Sequence, residues 1–275
     1  MRIAAVGECT IDRYLDLGAT RVGGISLNFA VHARHAGAEY VALVSCTGAD
    51  AAASMVRRAL ATAYVEATWM HQRPGATASQ DIQLAAGGER HFPPGGYAPG
   101  VLADFRLGER EWALLRDVDV IAIPVFRQLM PLVEPIIVAR DLSAMRVADL
   151  LDGADLGDAL QGLDALLDTF ELLFISGDEA MVERLLPRSR GTRSVIVVTH
   201  GGAGSSALVK GARHVAPAEL VPPDECVDST GCGDAYQAAF TVAYARDRDV
   251  PAAMRAGAKR AARVIRHLGA VADAR

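Results

Sequence analysis

Short apolar runs of strand length recur along the chain, and Ala-rich stretches separate them. The runs lie at residues 2–6, 41–46, 118–125, 136–141, 172–176 and 195–199. Uninterrupted apolar runs of this length are typical of strands that are covered on both faces of a sheet. Because strands that alternate with helices form parallel β-α-β units, the pattern predicts an α/β core.

Several of the stretches between these runs carry the signals with which helices begin and end. Asp50 can cap a helix that follows it, and Pro251 occupies a position that a first helical turn tolerates. Gly269 follows a run of apolar residues at helical spacing and should end it. The predicted helices span residues 26–36, 50–61, 235–245 and 251–268.

One stretch interrupts the alternation of predicted strands and helices. Residues 73–100 contain six glycines and four prolines. Two strand-like segments, residues 76–84 and 89–92, flank Gly87 and Gly88, a pair that favours a hairpin turn. We interpret the stretch as a β excursion that forms a lid over the core, with an ordinary edge hairpin as the alternative. Without repeats or linkers, residues 1–275 are predicted to form one domain.

Composition excludes several classes of protein. Of the 275 residues, 51% are hydrophobic and 22% are charged, as expected of a globular protein. The net charge of −5 and the 5% of aromatic residues argue against a nucleic-acid partner. No membrane span or secretory signal is expected, and four cysteines without C-x-x-C spacing suit a cytoplasmic protein. His32 and His35 are predicted to lie on a solvated helix face.

The segment with the clearest chemistry is Asp-Ser-Thr-Gly-Cys-Gly-Asp at residues 228–234, directly before a predicted helix. Gly231 and Gly233 flank a small residue, Cys232, and this lets the backbone turn tightly with its N–H groups exposed. At a helix N-terminus such groups form a cradle for an anion, for example a phosphoryl group in transfer. Asp234 lies at the lip of the cradle, where a carboxylate can take the proton of an attacking hydroxyl.

This segment resembles a signature of the ribokinase-like (PfkB) carbohydrate kinases, Asp-Thr-x-Gly-Ala-Gly-Asp, with Ser229 and Cys232 as the two departures. The resemblance implies a three-layer α/β/α Rossmann-like fold with a mostly parallel sheet and a small β-sheet lid. The lid would comprise about residues 9–24 and 73–100. It also implies that Asp234 is the catalytic base and that Gly231, Cys232 and Gly233 form the anion hole.

Two further segments are similar to the sugar-binding elements of the family. Gly23 and Gly24, followed by Asn28, resemble its N-terminal Gly-Gly signature, and Asp12 falls where the family has an aspartate that binds sugar hydroxyls. A carboxylate accepts hydroxyl protons well, so the role suits Asp12. Taken without the resemblance, Asp12 would more often be a surface turn residue and Asn28 a helix-start residue.

The resemblance also implies ATP and Mg²⁺ as cofactors, and a monovalent cation such as K⁺ in some members. Thr199, Gly201 and Gly204 resemble the nucleotide loop of the family, and Ala258 would lie near the adenine. Glu179 stands in a segment similar to the element that holds Mg²⁺ through water, although Ser176 replaces the family's asparagine. Asp228 would belong to the loop that holds the monovalent cation.

The predicted substrate is a sugar or a sugar-amine. Residues 96–105 and the segment Asp141-Leu142-Ser143 are similar to fructoselysine 6-kinases, which phosphorylate the 6-hydroxyl of that sugar-amine. Other sugars and nucleosides stay open, as does a homodimer formed through the lid. A non-catalytic sugar or nucleotide sensor on the same fold is one rival. A nicotinamide-dependent oxidoreductase is another, which the missing third glycine of the dinucleotide fingerprint disfavours.

Overall fold

A large twisted sheet forms the centre of the molecule, in a computed structural model that describes residues 1–157 and 160–272. In chain order the strands are β1 (Arg2–Val6), β2 (Thr10–Tyr14), β3 (Ala19–Gly23), β4 (Tyr40–Gly48), β5 (Met70–Arg73), β6 (Ser79–Leu84), β7 (Arg90–His91), β8 (Tyr97–Ala98), β9 (Val120–Pro124), β10 (Met145–Asp149), β11 (Leu172–Ser176), β12 (Val195–Thr199), β13 (Ser205–Val209) and β14 (Ala212–Ala216). The large sheet has nine strands in the order β14-β13-β12-β11-β10-β9-β1-β4-β5. Only β13 pairs antiparallel, with β12 and β14, so the prediction of a mostly parallel sheet is confirmed.

Helices cover both faces of the large sheet. They are α1 (Ile25–His35), α2 (Ala51–Thr62), α3 (Glu109–Asp117), α4 (Met130–Val138), α5 (Leu163–Thr169), α6 (Glu179–Leu185), α7 (Cys232–Asp247) and α8 (Val250–Val264). In β1, Ile3 and Ala5 pack toward α1, α2, α7 and α8, whereas Ala4 and Val6 pack toward α3 to α6. This alternation produces two hydrophobic cores and the predicted three layers.

A second, smaller sheet lies outside these layers, and this is the lid. Its strands run in the order β3-β2-β6-β7, and β8 pairs with β6. β6 and β7 form the predicted antiparallel hairpin, in which Leu84 pairs with Arg90. β5, however, pairs with β4 in the large sheet, so the second lid segment enters the small sheet at Ser79 rather than at residue 73.

Helix α7, which begins at the candidate site, is buried along its middle. Its residues from Ala235 to Val242 are all buried between the sheet, α1 and α8. A helix that is apolar on all sides suits such a position. Phe240, fully buried, packs edge-on against Phe174 of β11 with ring centroids 5.4 Å apart. The packing fixes the direction in which α7 points its N-terminus.

Three predictions from the hydrophobic pattern are wrong. Residues 136–141 are not a strand, because they contain the last turn of α4, and the strand lies at Met145–Asp149 instead. Helix α8 ends at Val264, not at residue 268. His32 does not face solvent: it is 2% exposed, because α7 and α8 cover α1. Among the helices of the described residues, none combines the length and apolar character that a membrane span needs.

Replacement of Phe240 by alanine should destabilise the fold by about 3–5 kcal/mol, since a fully buried aromatic ring would be replaced by a cavity. Urea denaturation measures the change. Leu220→Ala is the control, because Leu220 is 93% exposed and its removal should cost less than about 0.5 kcal/mol. Similar losses in both variants would contradict the assigned core.

Candidate active site

The anion cradle lies at the N-terminus of α7, as the sequence predicts. Gly231 has a φ of +77°, and a Cβ atom there would lie 2.2 Å from Cβ of Ala270, so only glycine fits. Nothing lies within 4 Å of a Cβ placed on Gly233, which leaves that side of the cradle open. The N–H of Cys232 donates to the Ser229 carbonyl at 3.2 Å, whereas within the described chain the N–H of Gly233 has no acceptor. The cradle therefore offers fewer free donors than three predicted residues suggest.

Asp234 stands beside this cradle in the first turn of α7. Its Oδ2 accepts a hydrogen bond from Nδ2 of Asn28 at 2.7 Å, so α1 orients the carboxylate. Burial raises the pKa of Asp234 to about 7, and the negative charge of Asp149 adds to the effect, while the Asn28 bond and Arg90 oppose it. A carboxylate with such a pKa changes its protonation state near neutral pH.

A cavity of about 560 Å³ opens in front of Asp234 and lies between the lid and the ends of the central strands. Of the residues predicted from the sequence, six line it: Asp12, Gly24, Asn28, Gly231, Gly233 and Asp234. Lining residues that sequence reasoning did not assign include Glu8, Gln80, Tyr97, Asp149 and Gln237. The structure thus brings these predicted sugar-binding and phosphoryl-transfer residues together around one cavity.

Asp12 forms part of the lid side of this cavity. Its carboxylate is 3% exposed and accepts a hydrogen bond from the Thr10 hydroxyl at 2.7 Å. Gly23 makes the position possible, since a Cβ there would lie 2.0 Å from Oδ2 of Asp12. Burial raises the pKa of Asp12 to about 7, and the charges of Glu8 and Asp228 add to this.

Glu8 is a buried acid that the sequence analysis missed. Its Oε1 accepts a hydrogen bond from the N–H of Ile25 at 3.2 Å, but Oε2 is buried without a hydrogen-bond partner. The hydroxyl of Tyr97 lies beside the Glu8 carboxylate and interacts with it, and Oδ1 of Asn28 is also buried without a close hydrogen-bond partner. Buried polar atoms are normally hydrogen-bonded. These polar atoms around one cavity are suited to bind the hydroxyls of a polar ligand.

The lid contributes one cation to the cavity, Arg90. Its guanidinium lies 3.4 Å from the carbonyl and hydroxyl oxygens of Ser229, and the backbone N–H of Arg90 donates to that hydroxyl at 3.2 Å. The N–H of Ser229 in turn donates to the Gly88 carbonyl at 2.8 Å. The lid hairpin is thereby attached to the loop before α7, and a positive charge lies next to the cradle.

Asp228 lies beneath the cradle and is fully buried. Its Oδ2 accepts hydrogen bonds from the Tyr14 hydroxyl at 2.5 Å and the Gly269 N–H at 2.8 Å, and its Oδ1 accepts one from the Thr230 N–H at 2.8 Å. Both oxygens are thus already engaged by the chain. The predicted role in a monovalent cation loop stays a prediction, and the structure assigns Asp228 a tethering role as well.

None of the predicted nucleotide residues lines the cavity, and Thr199 contacts a residue that does. Thr199 ends β12, and its Oγ1 lies 3.3 Å from Oγ of Ser176, which does line the cavity. Gly201 and Gly204 flank the exposed turn that follows, and Ala258 is half-buried on α8. Gly204 has a φ of +101°, and a Cβ there would lie 2.2 Å from the Ala216 carbonyl.

The structure agrees less closely with the predicted metal-binding residues. Glu179, in the first turn of α6, pairs through both carboxylate oxygens with Arg213 and does not line the cavity. No group of three or more histidine, cysteine, aspartate or glutamate side chains among the described residues could hold a metal ion. Mg²⁺ typically binds through one or two carboxylates together with substrate phosphates and water. The residues present therefore suit an ion that arrives with a nucleotide.

Cys232 is a neutral side chain that fills space beside the cradle, because burial raises the pKa of its thiol to about 12.

Asp141 lies outside the cavity. It is exposed and bonds to Arg116 at 2.8 Å. The similarity noted for Asp141-Leu142-Ser143 consequently does not fall on the site. The aspartate that does line the cavity in this part of the chain is Asp149, the last residue of β10.

Known proteins resemble this chain in sequence and in fold. The model of the pfkB family of carbohydrate kinases matches residues 2–275. Fructoselysine 6-kinase of Shigella flexneri is 28% identical over 98% of both chains. Two solved structures share the fold. Adenosine kinase of Sinorhizobium meliloti has a TM-score of 0.82 at 17% identity, over 98% of this chain and 95% of that one. Ribokinase of Arabidopsis thaliana, complexed with ribose and ATP, has a TM-score of 0.75 at 17% identity, over 99% and 95%.

The family match covers nearly the whole chain, and the anion cradle, the lid and the central sheet all lie within it. The resemblance predicted from the sequence is thereby confirmed, as is the ribokinase-like fold. The chain belongs to the pfkB family of carbohydrate kinases and is a phosphotransferase with an alcohol group as acceptor.

Proposed function

We propose that this kinase transfers the γ-phosphoryl group of ATP to a hydroxyl of a fructosamine, with the 6-hydroxyl of fructoselysine as the preferred acceptor. The observation that carries the phosphoryl-transfer part is the position of Asp234. This carboxylate lines the cavity, lies in the first turn of a 16-residue helix and is held by Asn28. Family membership makes the protein an enzyme and argues against the sensor and the oxidoreductase.

In this proposal the sugar binds between lid and core. Asp12 and Glu8 accept hydrogen bonds from its hydroxyls, and Asn28 keeps Asp234 directed at the attacking hydroxyl. Asp234 takes the hydroxyl proton as the oxygen attacks the γ-phosphorus and the bond to ADP breaks. The N–H groups of Gly231 and Gly233 and the charge of Arg90 stabilise the transferring group. Mg²⁺, when bound with ATP, supplies charge neutralisation at the phosphates.

The charge of the cavity supports an amine-bearing sugar. Seven carboxylate side chains line it, whereas Arg90 is its one cation in the described part of the chain. The carboxylates belong to Glu8, Asp12, Glu89, Asp149, Asp152, Asp155 and Asp234. A neutral sugar would leave this negative charge without compensation. Fructoselysine carries a protonated secondary amine and an α-ammonium group beside one carboxylate, so it brings a net positive charge, and a relative of this chain is named for that substrate.

The lid covers one side of the cavity and limits the access of water, which would otherwise compete with the sugar as acceptor. A homodimer through the lid stays part of the proposal. It is supported by Leu15 and Leu17, which are 51% and 56% exposed at the turn between β2 and β3.

Asp234→Asn should lower kcat by about 10²–10⁴-fold, because an amide cannot accept the hydroxyl proton. ATP binding, measured by calorimetry, should stay within about 2-fold, since a single amide replaces a carboxylate of the same shape. Asp224→Asn is the control, because Asp224 is exposed on the loop before the cradle and outside the cavity lining. Substantial turnover by the Asp234 variant would refute its role as the base.

The value of kcat/KM should rise with pH through about 7, because Asp234 acts only when deprotonated and its pKa lies near that value. Asp149→Asn removes the negative charge that helps to raise this pKa, so the acidic limb should move to lower pH. Asp155→Asn, a cavity acid that pairs with Arg127, is the control and should leave the limb in place. An unchanged limb in the Asp149 variant would contradict the electrostatic assignment.

The acids at the cavity rim can be tested with two substrates that differ in one charge. In a Glu89→Gln, Asp152→Asn double variant, KM for fructoselysine should rise by about 2- to 10-fold, the range for loss of exposed ion pairs. For α-N-acetyl fructoselysine, which lacks the ammonium charge, KM should not change. Equal effects on both substrates would exclude recognition of the ammonium group by these acids. A panel of ribose, fructose and nucleosides tests the remaining substrate classes.

A further inference from the structure

A second cavity, of about 320 Å³, lies toward the C-terminal end of α1, between α1, α2 and α8, whereas the catalytic cavity meets α1 at its N-terminal end. The two cavities have no lining residue in common. Six basic side chains line the second one, and no carboxylate of the described residues does: Arg21, His32, His35, Arg58, Arg260 and His267. In a protein with a net charge of −5, this is an unusual concentration of one kind of side chain.

Arg260 forms the inner wall of this basic cavity. Its Nη2 donates to Nδ1 of His32 at 2.8 Å and to Nδ1 of His35 at 2.6 Å. Burial lowers the pKa of His32 to about 3 and also lowers that of His35, and in both cases the Arg260 charge adds to the effect. The partners of the guanidinium are thus neutral rings, which do not compensate its charge.

Arg58 lies at the opening of the basic cavity. It is an exposed residue of α2 and forms no ion pair with the described residues. Apolar side chains, among them Val31, Met55 and Ala63, form the rest of the wall. Arg58 and Arg260, together with the apolar wall, suit a small organic anion with at least two negative charges. A guanidinium can bind two oxygens of one phosphate or carboxylate group at the same time.

The basic cavity is connected to the phosphoryl-binding cradle through one short path. Since Nδ1 of His32 accepts from Arg260, its Nε2 carries the proton and donates to the Ala270 carbonyl at 3.0 Å. Ala270 packs against Gly231, whose missing Cβ leaves the space for it. The neighbouring N–H of Gly269 donates to Asp228. An anion that draws Arg260 away from His32 would therefore loosen a support of the cradle.

We propose that the basic cavity is a binding site for a small organic polyanion, a phosphate monoester or a polycarboxylate, and that its occupancy changes the rate of phosphoryl transfer. The binding part is independent of the proposed sugar substrate, because it is measured without turnover.

The test is calorimetric titration of the full-length protein with 3-phosphoglycerate and, separately, with citrate, without metal ions and at ionic strength matched with NaCl. Arg58→Gln should weaken binding of the recognised probe by about 5- to 10-fold. Arg57→Gln is the matched control, since Arg57 is the preceding residue of α2, bonds to Gln72 and does not line the cavity. Arg260→Gln, checked for folding by circular dichroism, should weaken binding further.

Binding of 3-phosphoglycerate alone would identify a phosphate-ester site, and binding of citrate alone a polycarboxylate site. No binding at 10-fold above physiological metabolite levels, roughly 10 mM, or equal binding by the Arg57 and Arg58 variants, would overturn the proposal. The recognised probe should also change kcat/KM in the Arg57 variant and not in the Arg58 variant. A bound probe that leaves kcat/KM unchanged in both would overturn the coupling to the cradle.

Discussion

The site depends on one buried carboxylate, that of Asp228. A fully buried charge is costly unless hydrogen bonds compensate it. The compensating donors come from three separate parts of the chain: Tyr14 of the lid, Thr230 of the cradle loop and Gly269 of the C-terminal turn. Because each donor is needed to balance the charge, the three parts are held in one arrangement. The lid strand β2 is thereby fixed against the loop that starts α7, and the cavity between them has a defined shape.

The second constraint is the concentration of negative charge in the catalytic cavity. Burial opposes the ionisation of these carboxyl groups, and the like charges around them add to the effect, so the pKa values of Asp12 and Asp234 both rise to about 7. The folded protein consequently loses stability as pH rises from the ordinary aspartate pKa of 3.8 to about 7, because these carboxyl groups ionise more readily when unfolded. A cationic ligand, or the charge of Arg90, offsets this cost. The charges that destabilise the empty site are thus the ones that a cationic acceptor would satisfy.

The hydrophobic pattern predicted the buried strands closely, because uninterrupted apolar runs at residues 2–6, 172–176 and 195–199 have polar or glycine neighbours that end them. It was wrong at residues 136–141, since a helix end and a buried strand of that length look alike. The motif at residues 228–234 could be interpreted from the sequence, because its glycines and Asp234 lie together in one turn and the first turn of the helix that follows. Glu8 and Asp149 were not assigned from the sequence, because each comes to the cavity only through strand order. A usable signal existed: both stand at or just after the carboxyl end of a parallel strand, where ligands bind in open α/β sheets.

His32 shows what tertiary packing adds to a helical pattern. Spacing alone places it and His35 on one face of α1, and two polar residues on one face are usually solvated. Burial under α8 instead fixes its bonding: Nδ1 accepts from Arg260 and Nε2 donates to Ala270. Because its pKa is lowered to about 3, this arrangement does not change between pH 5 and pH 9. The contacts of His32 with Arg260 and Ala270 are therefore constant over this pH range, whereas Asp12 and Asp234, with pKa values of about 7, change their protonation within it.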